Sequence, residues 1–253
     1  MSKENKPFFV GYLGIPAGLK GFLLKTSLIM LAGFAAGGVL AGVSQDDPGK
    51  AGFRFDYGRQ TITGVIEASP YPILHVTEGN ERVPTGHSVM LTGQGKSGAM
   101  AIMASLEGTL VQATGIVLER GELDMLQLLS GQRGIQPMEE ESDIPQVEEL
   151  GTWRLQGEIC DGKCLAGAMQ PGRGLAHKAC ANLCLEGDIP PVFVSTQPVE
   201  GSEFLLVGDI EGGPLSRDAY DYVGQFVEIE AKVQRRGDLL VMLIDPEKLK
   251  VVE

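Results

Sequence analysis

Four cysteines and a histidine stand close together in the C-terminal half, in the order Cys160, Cys164, His177, Cys180 and Cys184. Their spacing, C-x3-C-x12-H-x2-C-x3-C, admits three chemistries. An even cysteine count in an oxidising compartment fits two structural disulfides drawn from Cys160, Cys164, Cys180 and Cys184. Cys164, His177, Cys180 and Cys184 also supply a three-cysteine, one-histidine ligand set. Its soft donors suit Zn, Cu or an iron centre, although the spacing is not the usual C-x2-C knuckle. A reactive dithiol is the third chemistry, and the absence of any C-x-x-C counts against it.

The elements that would hold these residues can be read locally. Leu175 to Leu185 reads as a helix, on which His177, Cys180 and Cys184 fall within an arc of about 60°. Cys160 and Cys164 bracket Asp161-Gly-Lys163 at the end of a strand. Fully extended, they would lie about 13 Å apart, against about 6 Å for Cys180 and Cys184 on a helix. Two parallel disulfides therefore require the strand to end near Cys160. Disulfides need no imidazole, so His177 is the residue that separates the readings. In the metal case Asp161 would orient its ring from behind.

Other chemistry-bearing residues carry less. Thr92-Gly-Gln-Gly-Lys-Ser97 resembles the end of a phosphate loop, but that pattern needs a glycine where Met90 stands, so it reads as a strand-end turn. His75 and His87 have no cysteine or carboxylate near them in sequence and are assigned no role. No G-x-S-x-G occurs, and no complete catalytic constellation is present, which weighs against an enzyme.

The scaffold is written twice. Gly108 to Leu128 lies over Gly224 to Ile244 without a gap, Ile62 to Ile66 answers Leu155 to Ile159, and Leu91-Thr-Gly-Gln answers Leu206-Val-Gly-Asp. Only the second copy carries the cysteines. Short β-branched runs bounded by Gly, Pro and Asn mark strands, and each copy closes with a hairpin, at Gly121 and at Gly237. About five strands in so short a stretch predict an all-β chain of two tandem OB-like β-barrels, with a small open sandwich as the alternative. The expected boundaries are 60–130 and 151–253, separated by an acidic linker over 131–150 whose Glu139 to Asp143 run reads as solvated.

Ahead of the copies, Thr26 to Val43 is an uncharged run of eighteen residues. As a helix it covers about 27 Å, enough for a hydrocarbon core. Segment 26–43 is therefore expected to be a single transmembrane helix in contact with lipid, with 1–25 as a juxtamembrane segment and 44–59 as a tether. Lys3, Lys6, Lys20 and Lys25 precede the run, while Asp46 and Asp47 come after it. That asymmetry keeps the N-terminus in the cytoplasm and exports the barrels. Cleavage as a signal peptide is the rival, and the long, partly apolar segment before the run argues against it. Gly33, Gly37, Gly38 and Gly42 form two GxxxG spacings that would let a transmembrane partner approach closely. A net charge of −12 and only 6% aromatic residues exclude nucleic acid as a partner.

Asp161-x-x-Cys164, then His177-x-x-Cys180-Ala-x-x-Cys184-x-x-Gly187-x-x-Pro190, resembles the signature of small bacterial periplasmic OB-like domains. The resemblance covers Gly151 to Glu253, with the 26–43 run and the first copy outside it, and implies a fold and a compartment more than an activity: an OB-like domain in the bacterial periplasm. Joined to the 26–43 run, it gives the expectation of a single-pass protein of the bacterial inner membrane with its barrels in the periplasm. Cys160 departs from that pattern, which has an aliphatic residue there. The resulting expectation is a membrane-anchored extracytoplasmic binding or accessory protein that supports an exported redox or metal-dependent complex. The alternative is an electron-transfer protein using a metal or cofactor held by the Cys/His cluster.

Overall fold

The structure, a computed structural model, describes residues 15–43 and 50–252. The N-terminal helix and the barrel region are separate compact units. Helix α1 (Ala17–Val43) is long and apolar enough to cross a membrane. It begins nine residues before the uncharged run, so Lys20 and Lys25 lie on its first turns. Lys3, Lys6, Asp46, Asp47 and most of the tether's first half lie outside the described residues.

The rest is mostly strand. The first barrel contains β1 (Gly52–Phe53), β2 (Gln60–Glu67), β3 (Ile73–Glu78), β4 (Ser88–Thr92), the short helix α2 (Met100–Met103), β5 (Thr109–Arg120), β6 (Leu123–Leu128) and β7 (Ile135–Glu141). The second contains β8 (Glu148–Asp161), helix α3 (Lys178–Leu185), β9 (Pro191–Val199), β10 (Ser202–Asp209), β11 (Phe226–Arg236), β12 (Leu239–Ile244) and β13 (Lys250–Val251). In the first, β5-β2-β3-β4-β6 closes on itself through β5–β6, with β4 and β6 parallel. In the second, β11-β8-β9-β10-β12 closes through β11–β12, with β10 and β12 parallel. Both barrels thus have five strands in the OB order, first strand against fourth and third parallel to fifth. The two hairpins occupy equivalent places, and Gly121 and Gly237 have φ of 58° and 63°.

Two expectations need correction. The 131–150 segment is not wholly a solvated linker, because Ile135–Glu141 pairs along β5. An edge strand needs only backbone partners, so Glu139 and Glu140 keep their side chains in water while the chain is held. The 44–59 tether likewise ends early. Gly52 and Phe53 pair with β5, and Arg54 donates to Glu119 across 2.6 Å.

Each barrel has its own core. Ile62, Ile66, Leu74, Val111 and Leu126 fill the first; Leu155, Phe193, Leu205, Ile229 and Met242 fill the second. A third cluster lies between them. Tyr71, Ile73, Met90 and Met125 from the first barrel meet Cys160, Val192, Phe204, Leu206, Val241 and Leu243 from the second. Side chains alternate faces along a strand, so Leu205 and Val207 point inward while Phe204 and Leu206 point to this seam. A strand buried on both faces becomes a continuous apolar run, as Leu239–Ile244 does.

Polar groups pin the seam. Glu67 is under 10% exposed and accepts from Arg236 Nη1 at 2.5 Å; its other oxygen meets His75 Nε2 at 2.8 Å. His75 Nδ1 lies 2.9 Å from Ser88 Oγ. His87 sits between Asp124 at 3.0 Å and Asp238 at 2.5 Å, and these carboxylates push its pKa up to about 10. The two histidines without sequence companions thus find them in space, His87 across the seam itself.

Candidate functional site

The first strand of the second barrel ends at Asp161, and the carboxylate of that residue organises the connection to α3. Asp161 is fully buried; Oδ1 accepts from the Cys164 backbone N–H at 2.8 Å, turning the chain into an irregular helical turn over Cys164–Ala168. Its Oδ2 lies 2.8 Å from His177 Nε2. His177 is itself buried and stands at the N-terminus of α3, which carries Cys180 and Cys184. The insertion occupies the connection between the first and second strands, one of the loops with which OB barrels bind ligands.

Curling the chain at Asp161 brings the sulfurs together. The Cys164 and Cys184 sulfurs are 4.0 Å apart, and those of Cys164, Cys180 and Cys184 all lie within 4.8 Å of one another. Asp161, Cys164 and His177 form a second triad within the same limit, sharing Cys164. The predicted ligand set is therefore brought together as two overlapping groups: three sulfurs, and a histidine beside one of them whose Nε2 faces Asp161. Cys164 and Cys184 are buried against Ile189, and Cys180 is partly open.

Cys160 stands apart from this group. Its side chain joins the seam cluster, and its thiol donates to Glu158 at 3.1 Å. Burial, with the Glu158 charge beside it, pushes that thiol's pKa well up. All four cysteines are free thiols, so the disulfides expected from the even count are not seen.

One residue of the site comes from the other copy. Lys96 Nζ donates to Cys180 Sγ at 2.9 Å, to Cys184 Sγ at 3.2 Å and to the Cys180 carbonyl at 3.1 Å. The turn that carries it is held from the second barrel. Lys163, itself buried, donates to the Gly93 and Gly95 carbonyls at 2.6 and 2.8 Å, and the Gly98 N–H donates to the Gly187 carbonyl at 2.6 Å. The contact is close enough that a Cβ on Gly187 would lie 1.9 Å from the Lys96 carbonyl. Sequence marked this segment only as a strand-end turn. Nothing local links position 96 to positions 180 and 184.

These contacts set the electrostatics. The Cys164 thiol hydrogen bond and the Lys96 ammonium lower the Cys184 pKa to about 7 against the opposing effect of burial. Cys164 is raised by the hydrogen bond it donates to Cys184, by burial and by the Asp161 charge. Lys96 is raised by its bonds to the sulfurs, and burial lowers Lys163. A sulfur trio facing an ammonium is a soft-ligand site with a compensating charge beside it.

Fold and site together define a tandem pair of OB-type barrels with a thiol cluster built into the second and completed by a lysine from the first. The chain matches no family model, no curated protein and no solved structure.

Proposed function

We propose that the protein is a membrane-anchored, extracytoplasmic accessory protein whose second barrel holds one soft metal ion for an exported redox or metal-dependent complex. The observation that carries this reading is the convergence of the Cys164, Cys180 and Cys184 sulfurs within 4.8 Å of one another. Three thiolates so placed are soft donors within reach of a single ion, and soft donors select Zn, Cu(I) and iron centres over hard cations. The Asp161–His177 bond supports it further, since a carboxylate that fixes an imidazole beside ligating residues is a common outer support of metal sites. Anchoring rests on α1, and export rests on the lysines before its uncharged run over 26–43 and the aspartates after it. Gly33 with Gly37, and Gly38 with Gly42, give that helix two small-residue spacings on different sides, each suited to pairing with a second membrane helix.

The test is elemental analysis of the detergent-purified full chain, with thiols counted in the same sample. About one soft metal ion per chain is expected, with at least about a ten-fold loss of occupancy in Cys184→Ser. Four oxidised cysteines with no bound metal would sink the reading and leave the cluster as disulfide staples.

A further inference from the structure

We propose that Lys96 is a specificity-determining residue that biases the thiol site toward a monovalent soft ion, Cu(I), over divalent zinc; this rests on the soft-metal reading above. Three features of the geometry point the same way. The cluster offers three sulfurs within 4.8 Å of one another, whereas His177 comes within that limit of the Cys164 sulfur alone among them, with its Nε2 turned to Asp161 at 2.8 Å. Three thiolates suffice for Cu(I), whereas zinc is almost always bound by four ligands in closed sites. An ammonium also lies against the cluster, with Lys96 Nζ at 2.9 and 3.2 Å from two of the sulfurs.

The bonds that Lys96 donates to the Cys180 and Cys184 sulfurs favour no particular ion. The repulsion of the bound ion by Lys96, however, scales with that ion's charge, so a divalent ion is penalised twice as much as a monovalent one at the same distance. Lys96 Nζ is also retained beside the cluster by the Cys180 carbonyl, which accepts from it at 3.1 Å. Its turn is fixed by the two Lys163 bonds to Gly93 and Gly95 and by the Gly98–Gly187 backbone bond. The site is thus complete only when the two barrels are docked, and the selectivity of the second barrel is set by a residue of the first.

The experiment is an anaerobic competition of Cu(I) against zinc, with a chromophoric Cu(I) chelator as reporter. It uses the full chain in detergent and compares the native protein with Lys96→Met and Lys96→Arg. Lys96 is exposed, so its loss should leave the barrels folded, and metal-free melting of each variant checks this. The proposal expects the native protein to prefer Cu(I). It also expects Lys96→Met to shift the Cu(I)-to-zinc affinity ratio toward zinc by about ten-fold or more, and Lys96→Arg to stay near the native ratio. A native preference for zinc, or an unchanged ratio in Lys96→Met, overturns the inference while leaving the soft-metal reading intact. Binding of neither ion overturns both.

Discussion

Arg236→Met is expected to destabilise the barrel region by about 3–5 kcal/mol, the cost of breaking a buried ion pair by removing one partner. Arg236 reaches from the second barrel to Glu67 and to the Ser69 carbonyl of the first, at 2.5 and 2.7 Å. Without it, the Glu67 carboxylate remains buried with only His75 Nε2 beside it. The companion variant Arg236→Met/Glu67→Gln removes the stranded charge while keeping a hydrogen-bond partner for His75, and should recover part of the loss. Urea unfolding of the three proteins checks this. A loss under about 1 kcal/mol in Arg236→Met would mean the seam is not closed by that pair.

The second large effect is expected at the adjacent residue. Gly237 turns the β11–β12 hairpin with φ of 63°, and a Cβ there would lie 2.2 Å from Ser88 Oγ and 3.0 Å from His75 Nδ1. Gly237→Val therefore combines left-handed backbone strain with a clash against the first barrel. A loss of about 3 kcal/mol or more is expected. Gly212→Val isolates the first contribution, because Gly212 has φ of 89° and nothing within 4 Å of its Cβ position. Equal destabilisation of the two variants in the same urea measurement would show that the Gly237 hairpin does not pack on the seam.

These residues also show what the sequence reveals and where it stops. The duplicated barrels are legible because their signals are local: alternating β-branched strands, and glycines at 121 and 237 where the chain needs positive φ. The convergence of Cys164, Cys180 and Cys184 is legible in part, since helical spacing places the last two together. The return of Cys164 depends on Asp161 accepting its backbone N–H, an ordinary-looking aspartate in the sequence. The seam is not legible. Its strands are buried on both faces, which erases the alternation that would show a second apolar surface. Its polar pairs join residues far apart in the chain, Glu67 with Arg236 and Lys96 with Cys180. The strand over Ile135–Glu141 is hidden for a different reason. Like-charge repulsion describes its side chains, whereas its pairing is made by backbone groups that composition does not report.

In the proposed function, three cysteine sulfurs drawn together where the two barrels meet form one metal shell. X-ray absorption at the metal edge of the loaded full chain tests it most directly. Three sulfur neighbours at about 2.3 Å are predicted, with one sulfur lost in Cys184→Ser. A shell of nitrogen and oxygen alone, unchanged in that variant, would contradict it.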